Sequence, residues 1–337
     1  MRRISNKLTG GALISALFIA AIVSMLATAL AVQERLVIHA VGLGVDADRS
    51  YLSLELMQLA AKKRIADYAA RWMVAENNKT AVVTPLHTAL PVMQLENATL
   101  RGIISDEQAK YNLNNLTNTN NQTQFTTLLR TVCPDVLPEN ASAIASAIMA
   151  WMTTGTDDAD YLSQNPPYRS SRQVFADITE LRLIIGVTPK IYNCLKPYVT
   201  ALPVMAATQV VSSDEDFIAQ PGGQPTQSTV TPVNINTVSA PVLMAVNPVL
   251  TAAQATSLIA CRQRFGGTVN SIAQFTSSCA QPINITTLNN LATQSQYFLV
   301  HAERAVKDHR WALNRLMVTH LKKNNTLSVS TVWQSFE

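Results

Sequence analysis

Residues Gly11 to Val32 (GALISALFIAAIVSMLATALAV) carry no charged side chain over 22 positions. A helix needs about 20 residues to cross the hydrocarbon core of a bilayer, so this run is long enough to span one. Arg2, Arg3 and Lys7 precede it, the first acid is Glu34, and those three cations supply most of the formal net charge of +4. The positive-inside rule then expects Met1 on the cytoplasmic side and everything after about Val32 on the far side. No second apolar run of this length follows, which predicts one span and one large exported body. Only 14% of the 337 residues are charged and 47% are hydrophobic, which excludes a disordered polyelectrolyte. With the excess cations confined to the first seven residues, the exported part lacks the basic surface of a nucleic-acid binder, and no nucleic-acid partner is expected.

Three readings of the apolar run are open from its residues alone. Ala27-Thr28-Ala29 and Ala29-Leu30-Ala31 fit a small-x-small signal cleavage site. An uncleaved signal anchor is the second reading. The third is a prepilin-type leader, short and basic and ending in glycine before the apolar run, as in Lys7-Leu8-Thr9-Gly10-Gly11-Ala12-Leu13. Gly10, Gly11 and Ala12 are then the candidate cleavage residues, because glycine lets the backbone thread extended into a protease cleft. Beyond the run no proline occurs between Gln33 and Trp72, and Leu52, Leu56, Leu59, Ala61, Ile65, Tyr68 and Trp72 fall mostly three to four apart. A helix is expected there, weakened and kinked at Gly42 and Gly44; a plain linker helix under an anchored domain would look the same.

Short strands are expected at Thr80–Val83, Val92–Leu95 and Leu100–Ile104, broken by Pro85 and Pro91. Residues 112–124 (NLNNLTNTNNQTQ) read as polar loops and capped turns anchored by Leu113 and Leu116. Helical spacing covers Phe125–Met152, Val174–Leu195 and residues 240–265, separated by a turn-rich loop at 153–171 and a Pro/Gly-rich linker at 212–231. Tyr297–Ala302, Arg310–Met317 and Thr326–Trp333 alternate like three antiparallel strands. Strands flanking a block of helices predict an α+β protein. The expected divisions are a leader at 1–10, a membrane helix at 11–32, a helix with the first strands at 33–110, an inserted helical region at 111–290, and closing strands at 291–337.

Cys133, Cys194, Cys261 and Cys279 are an even number in a chain expected to face an oxidising compartment, and no Cys-x-x-Cys occurs. Of three possible connectivities Cys261–Cys279 with Cys133–Cys194 is favoured, reduced core cysteines being the alternative. Asp157, Asp158 and Asp160 crowd one loop, and such a cluster either is solvated or holds a hard cation, calcium being the candidate cofactor. Asp214-Glu215-Asp216 and Asp46-Ala47-Asp48 are weaker clusters. Residues 180–199 read as a helical hairpin turning at Ile185-Gly186-Val187, with a partial second version at Val242–Arg264. Such hairpins can present turn amides to phosphates, which makes a membrane-anchored DNA-uptake or adhesion protein, similar to competence proteins, the alternative function. No GxSxG, HExxH, P-loop or GxGxxG is present, the five histidines are scattered, and no enzyme is expected.

Several of these segments together resemble the type II secretion system protein K family. Tyr111-Asn112-Leu113-Asn114-Asn115-Leu116 matches the family's aromatic-NLNNL motif, and Pro166-Pro167-Tyr168-Arg169 its PPYR. Glu180-Leu181-Arg182-Leu183, Gly186-Val187-Thr188, Tyr192, Pro197 and Leu202-Pro203 follow in the family's order, and Asn234-Ile235-Asn236-Thr237 resembles its NVNTA segment. The resemblance implies a pseudopilin fold, a long N-terminal helix packed on an antiparallel sheet, with an inserted, mainly helical domain. It implies cleavage by the prepilin peptidase after Gly10 or Gly11, Gly10 being favoured by the family's Gly-x-Ala-Leu pattern, and methylation of the new N-terminus. As partners it implies minor pseudopilins I and J, the pseudopilus shaft through a tip complex, secreted substrates and the outer-membrane secretin. The location it implies is the bacterial inner membrane, single-pass, with a periplasmic body. Two departures stand out. Ordinary pilins carry glutamate at the fifth mature position, where this chain has Ser15, or Ala16 with the later cut. Ala150-Trp151-Met152-Thr153 replaces the family's Asp-Trp-Ile-Asp run ahead of the acidic loop, so Asp157, Asp158 and Asp160 match only its later part.

Overall fold

A computed structural model describes residues 10–78, 83–95, 98–155, 157–203, 230–285, 288–306, 309–321 and 327–337. The chain forms two compact units, Met1–Ser53 and Leu54–Glu337. The expected strand at Thr80–Val83 and the linker at 212–231 lie almost wholly outside the described residues.

The first unit is helical from Gly10 onward, the opening part of α1 (Gly10–Asn78). The helix is assigned without interruption through Gly42 and Gly44, where the sequence suggested a kink. Each glycine lowers helix propensity by about 1 kcal/mol but leaves the hydrogen-bond ladder intact.

In the second unit α1 gives way to β1 (Thr88–Ala89), β2 (Met93–Leu95), β3 (Ala98–Asp106) and β4 (Tyr111–Asn112). Helices α2 (Gln122–Val132), α3 (Pro138–Met152), α4 (Ala159–Leu162) and α5 (Pro189–Leu195) follow, then β5 (Val199–Thr200). After residue 230 come β6 (Val233–Asn234), α6 (Ala240–Val246), α7 (Ala252–Cys261), α8 (Ile272–Phe275) and β7 (Leu291–Ala292). The long strands β8 (Tyr297–Val306), β9 (His309–Leu321) and β10 (Leu327–Phe336) complete it.

The main sheet is antiparallel in the order β1-β3-β8-β9-β10, with β2 also on β3. Leu54, Met57, Ala61, Ile65, Tyr68 and Trp72 of α1 are buried, and burial of a large aliphatic side chain such as Leu54 or Ile65 contributes about 1.5–3 kcal/mol. Tyr68 stacks edge-on against Phe298 of β8 at 5.5 Å. Gln58 donates its amide to the carbonyls of Val300 and Leu313, so even the polar member of this face is tied to the sheet. Glu55 pairs with Arg315 of β9. Close approach is set by Gly102 of β3, where a Cβ would lie 2.8 Å from Leu90 Cδ1 and 3.1 Å from Met57 Cε.

The helical block is inserted between neighbouring strands. Asp106, ending β3, pairs with Phe298 at the start of β8. Its core is one continuous apolar cluster running from Tyr111 to Ile285. Two short parallel ladders close it into lobes, β4 on β5 (Tyr111 beside Val199) and β6 on β7 (Val233 beside Leu291).

Within the lobes the three long helices expected from periodicity are shorter. Phe125–Met152 is split into α2 and α3 between Cys133 and Leu137, where Pro134 and Pro138 remove backbone donors and Pro138 restarts the helix at its first turn. Val174–Leu195 is an extended stretch, a 3₁₀ turn over Ile178–Leu183, and then α5. The turn between the last two needs Gly186, whose φ is +89° and whose Cβ would sit 3.1 Å from Ile144 Cγ1. Residues 240–265 break at Asn247-Pro248, and α7 restarts under a capping box made by Thr251 and Gln254.

Candidate functional site

The first candidate site is the anchor. Leu13, Ile14, Leu17, Phe18, Ile19 and Met25 are all more than 60% exposed, and α1 is the one helix among the described residues long and apolar enough to cross a membrane. Gly10, Gly11 and Ala12 form its first turn, while the basic residues ahead of them lie outside the described residues. The hydroxyls within the run are satisfied locally. Ser15 donates to the carbonyl of Gly11 at 2.8 Å, Ser24 to Ala20 at 2.8 Å and Thr28 to Ser24 at 2.8 Å. Bonding back onto the same helix is what a polar side chain needs in lipid, where no water competes.

The second is the seam where the inserted lobes leave the sheet. Asp106 is 3% exposed. Its Oδ2 accepts from Thr237 Oγ1 at 2.6 Å, Ser295 Oγ at 2.7 Å and Asn234 Nδ2 at 3.1 Å, and its Oδ1 from the Gln108 amide at 2.9 Å. Burial pushes the Asp106 carboxyl above the ordinary carboxylate range, and these four donors pull it back. Gln108 reaches both ways, donating to the Pro232 carbonyl and accepting from the Gln296 amide at 2.6 Å. Glu107 accepts from Thr200 and from Lys110, each at 2.7 Å.

The asparagine motifs extend this seam. Asn112, which ends β4 and caps a 3₁₀ turn, and Asn114 and Asn115 within that turn, all expected in polar loops, are buried. Asn114 Oδ1 accepts from the Phe175 amide at 2.8 Å, and its Nδ2 donates to the carbonyls of Phe175 at 3.0 Å and Leu202 at 2.8 Å. Asn112 accepts from the Leu202 amide and donates to its carbonyl, and Asn115 does the same with Thr231. Asn236 clamps Val269 and Asn247 clamps Asn289 in the same way. A carboxamide carries the same donor and acceptor as a peptide group, so each clamp stands in for one rung of a β-ladder between segments far apart in sequence.

The acidic loop is not assembled as a cation site. Asp158 is 4% exposed. Its Oδ1 accepts from the Ser170 hydroxyl at 2.6 Å and amide at 3.1 Å, and its Oδ2 from Arg172 at 2.7 Å with Arg169 at 3.7 Å. Asp157 caps the Ala159 amide at 3.0 Å, and Asp160 is exposed. Among the described residues no three His, Cys, Asp or Glu side chains converge to hold a metal. Sequence proximity suggested a calcium cluster of Asp157, Asp158 and Asp160; the central carboxylate instead turns inward and is matched by two guanidinium groups, so these residues do not fit the ion. Asp158 fixes the PPYR loop, where Asn165-Pro166 is cis and Arg172 takes a left-handed φ of 55°. The Ser170 hydrogen bonds, then Arg172, hold the Asp158 carboxyl below its ordinary value. Its stabilising effect is therefore complete above about pH 4, the unfolded value, and disappears as pH falls through the lowered native one. Urea midpoints of the wild type and Asp158→Asn should differ at pH 6 and converge below that native value.

The cysteines are paired as Cys133–Cys194, joining the end of α2 to α5, and Cys261–Cys279, joining α7 to the turn after α8. At the hairpin around Gly186, Lys190 pairs with Asp135 at 2.6 Å and the Arg182 guanidinium stacks 5.8 Å from the centre of the Tyr192 ring.

A long amphipathic helix laid on an antiparallel sheet, with an apolar N-terminal extension and a body inserted between two adjacent strands, defines the pseudopilin class of α+β fold. Two sequence-family profiles, both described as type II secretion system (T2SS), protein K, match residues 109–204 and 233–297, each span containing one of the two short parallel ladders. Type II secretion system protein K of Pseudomonas aeruginosa is 26% identical over 333 residues, 93% of this chain and 88% of that protein. The Pectobacterium carotovorum protein of the same name is 29% identical over 182 residues, and there the match spans about half of the relative (48%). The fold is similar to a chain in the crystal structure of the GspK-GspI-GspJ complex from the enterotoxigenic Escherichia coli type 2 secretion system, with a TM-score of 0.55 and 20% identity over 85% of this chain and 96% of that one. Over both matched spans the chain is similar to the type II secretion system protein K family.

Proposed function

We propose that this protein is a non-catalytic minor pseudopilin that caps the periplasmic pseudopilus of a type II secretion machine with minor pseudopilins I and J and starts its assembly. The observation that carries this reading is the continuity of α1, from a charge-free exposed segment into a face buried on the sheet. Helices of companion subunits would pack on the first part, and the second would hold the body outside the inner membrane. Gly10 or Gly11 would precede the cut made by the prepilin peptidase. A carboxylate near the fifth mature position would neutralise the terminal amine of a neighbouring subunit; without one, burying that amine is costly. Ser15 supplies no such charge, which suits a subunit that begins a stack better than one added to it. The inserted lobes would also obstruct a subunit placed above. Secreted substrates and the outer-membrane secretin are the further contacts such a tip would make.

The DNA-uptake reading needs unpaired cations beside Gly186, whereas Lys190 is matched by Asp135 and Arg182 is stacked on Tyr192. Mass spectrometry of the mature N-terminus, with and without the prepilin peptidase, tests the proposal. The expected result is a methylated residue 11 or 12 only when the peptidase is present; an uncut chain, or one cut near Ala31, would overturn it.

A further inference from the structure

β10 ends the main sheet, with β9 on one side and, among the described residues, no strand on the other. Proteins protect such edges with charges, proline or bulges, because an open edge is a template for another strand. Leu327–Phe336 (LSVSTVWQSF) contains neither a charge nor a proline, and its register breaks between Thr331 and Trp333, leaving Leu327–Thr331 as the regular part. Alongside that part, Leu56, Leu59, Ala60, Lys62, Lys63 and Ala66 of α1 face Leu327–Val329 across a groove of about 730 Å³. Leu56 and Leu59 are 52% and 65% exposed, an apolar shoulder beside the open edge. Lys62 and Lys63 give the rim a positive charge, and the Lys63–Asp67 contact at 3.9 Å is itself largely exposed.

We propose that this groove receives an extended segment of a companion minor pseudopilin, which adds a strand to β10 along Leu327–Thr331. The inference rests on the pseudopilin reading and names the surface that reading leaves open. Strand addition supplies main-chain hydrogen bonds, and alternate side chains supply selectivity. Here one side would cover Leu56 and Leu59, and an acidic residue at the segment's end would meet Lys62 and Lys63. A companion whose own anchor lies beside α1 presents that segment at high effective concentration. A second copy of β10 is the competing occupant, with Glu337 just past the strand as its one nearby carboxylate.

The test uses the full chain, co-expressed with pseudopilins I and J, carrying the photoreactive residue p-benzoylphenylalanine at Thr331 or, as a control, at Ala89 on the opposite edge. Expected are a covalent adduct from Thr331 and none from Ala89, mapping to a strand of I or J that contains Asp or Glu. The adduct yield should fall about tenfold in Lys62→Glu/Lys63→Glu, while the chain's own abundance is unchanged. An adduct to a second copy or to a secreted protein would overturn the inference. So would no adduct while I and J still co-purify, and in that case the pseudopilin reading survives. If I and J do not co-purify with the unmodified chain, that reading falls and the inference with it.

Discussion

Asn114→Ala is expected to destabilise the first lobe by about 4 kcal/mol, because it leaves the Phe175 amide and the carbonyls of Phe175 and Leu202 buried with a partner removed. Each buried group left without its bond costs about 1–3 kcal/mol, and several are lost together. Leucine at 114 would fill the volume and still fail, since it offers neither donor nor acceptor. The measurement is urea unfolding of the detergent-solubilised full chain followed by tryptophan fluorescence, to which Trp151 in the same lobe contributes. The midpoint should fall by about 1–2 M. Asn120→Ala, six residues on and exposed, should change it by less than about 0.5 kcal/mol. Equal effects at the two positions would mean that the clamps do not hold the lobe.

The second large effect is expected from removing the Cys133–Cys194 link. Its ends are 61 residues apart, and in the chain-entropy model a loop of that length stabilises the fold by about 4 kcal/mol. The 18-residue separation of Cys261 and Cys279 corresponds to about 3 kcal/mol. Cys133→Ala/Cys194→Ala should therefore lower the urea midpoint more than Cys261→Ala/Cys279→Ala, with reductant added to the wild type approaching the sum. A wild type insensitive to reductant would contradict the pairing.

Both effects arise in regions that the sequence discloses unevenly. The closing strands are legible because alternation is a local pattern: β8 and β9 contain two of the expected runs, and β10 follows the third from Leu327 onward, Thr326 lying outside the described residues. The later part of the α1 face is legible for the same reason, from Ala61, Ile65, Tyr68 and Trp72, whereas Leu52, Leu56 and Leu59 of the same run are exposed. Residues 112–124 mislead because hydropathy registers asparagine as solvated. What matters is that Asn112 meets Leu202 and Asn114 meets Phe175, partners 90 and 61 positions away that no window includes. The order of asparagines within the motif was the available signal. Helix lengths were overestimated where apolar spacing continues across Pro138 and Asn247-Pro248, although the prolines themselves mark the breaks. The acidic loop shows the limit from the other side. Asp157, Asp158 and Asp160 are neighbours in sequence, yet Asp158 turns inward to Ser170 and Arg172, and nothing local predicts that rotation.

The body between β3 and β8 starts and finishes at adjoining rungs of one ladder, Asp106 opposite Phe298. A module attached in this way imposes no geometric demand on the sheet beyond the spacing of two neighbouring strands. Evolution can then enlarge, trim or exchange it without disturbing how α1 lies on the sheet, so the helix-and-sheet frame is free to stay constant while the inserted body diversifies.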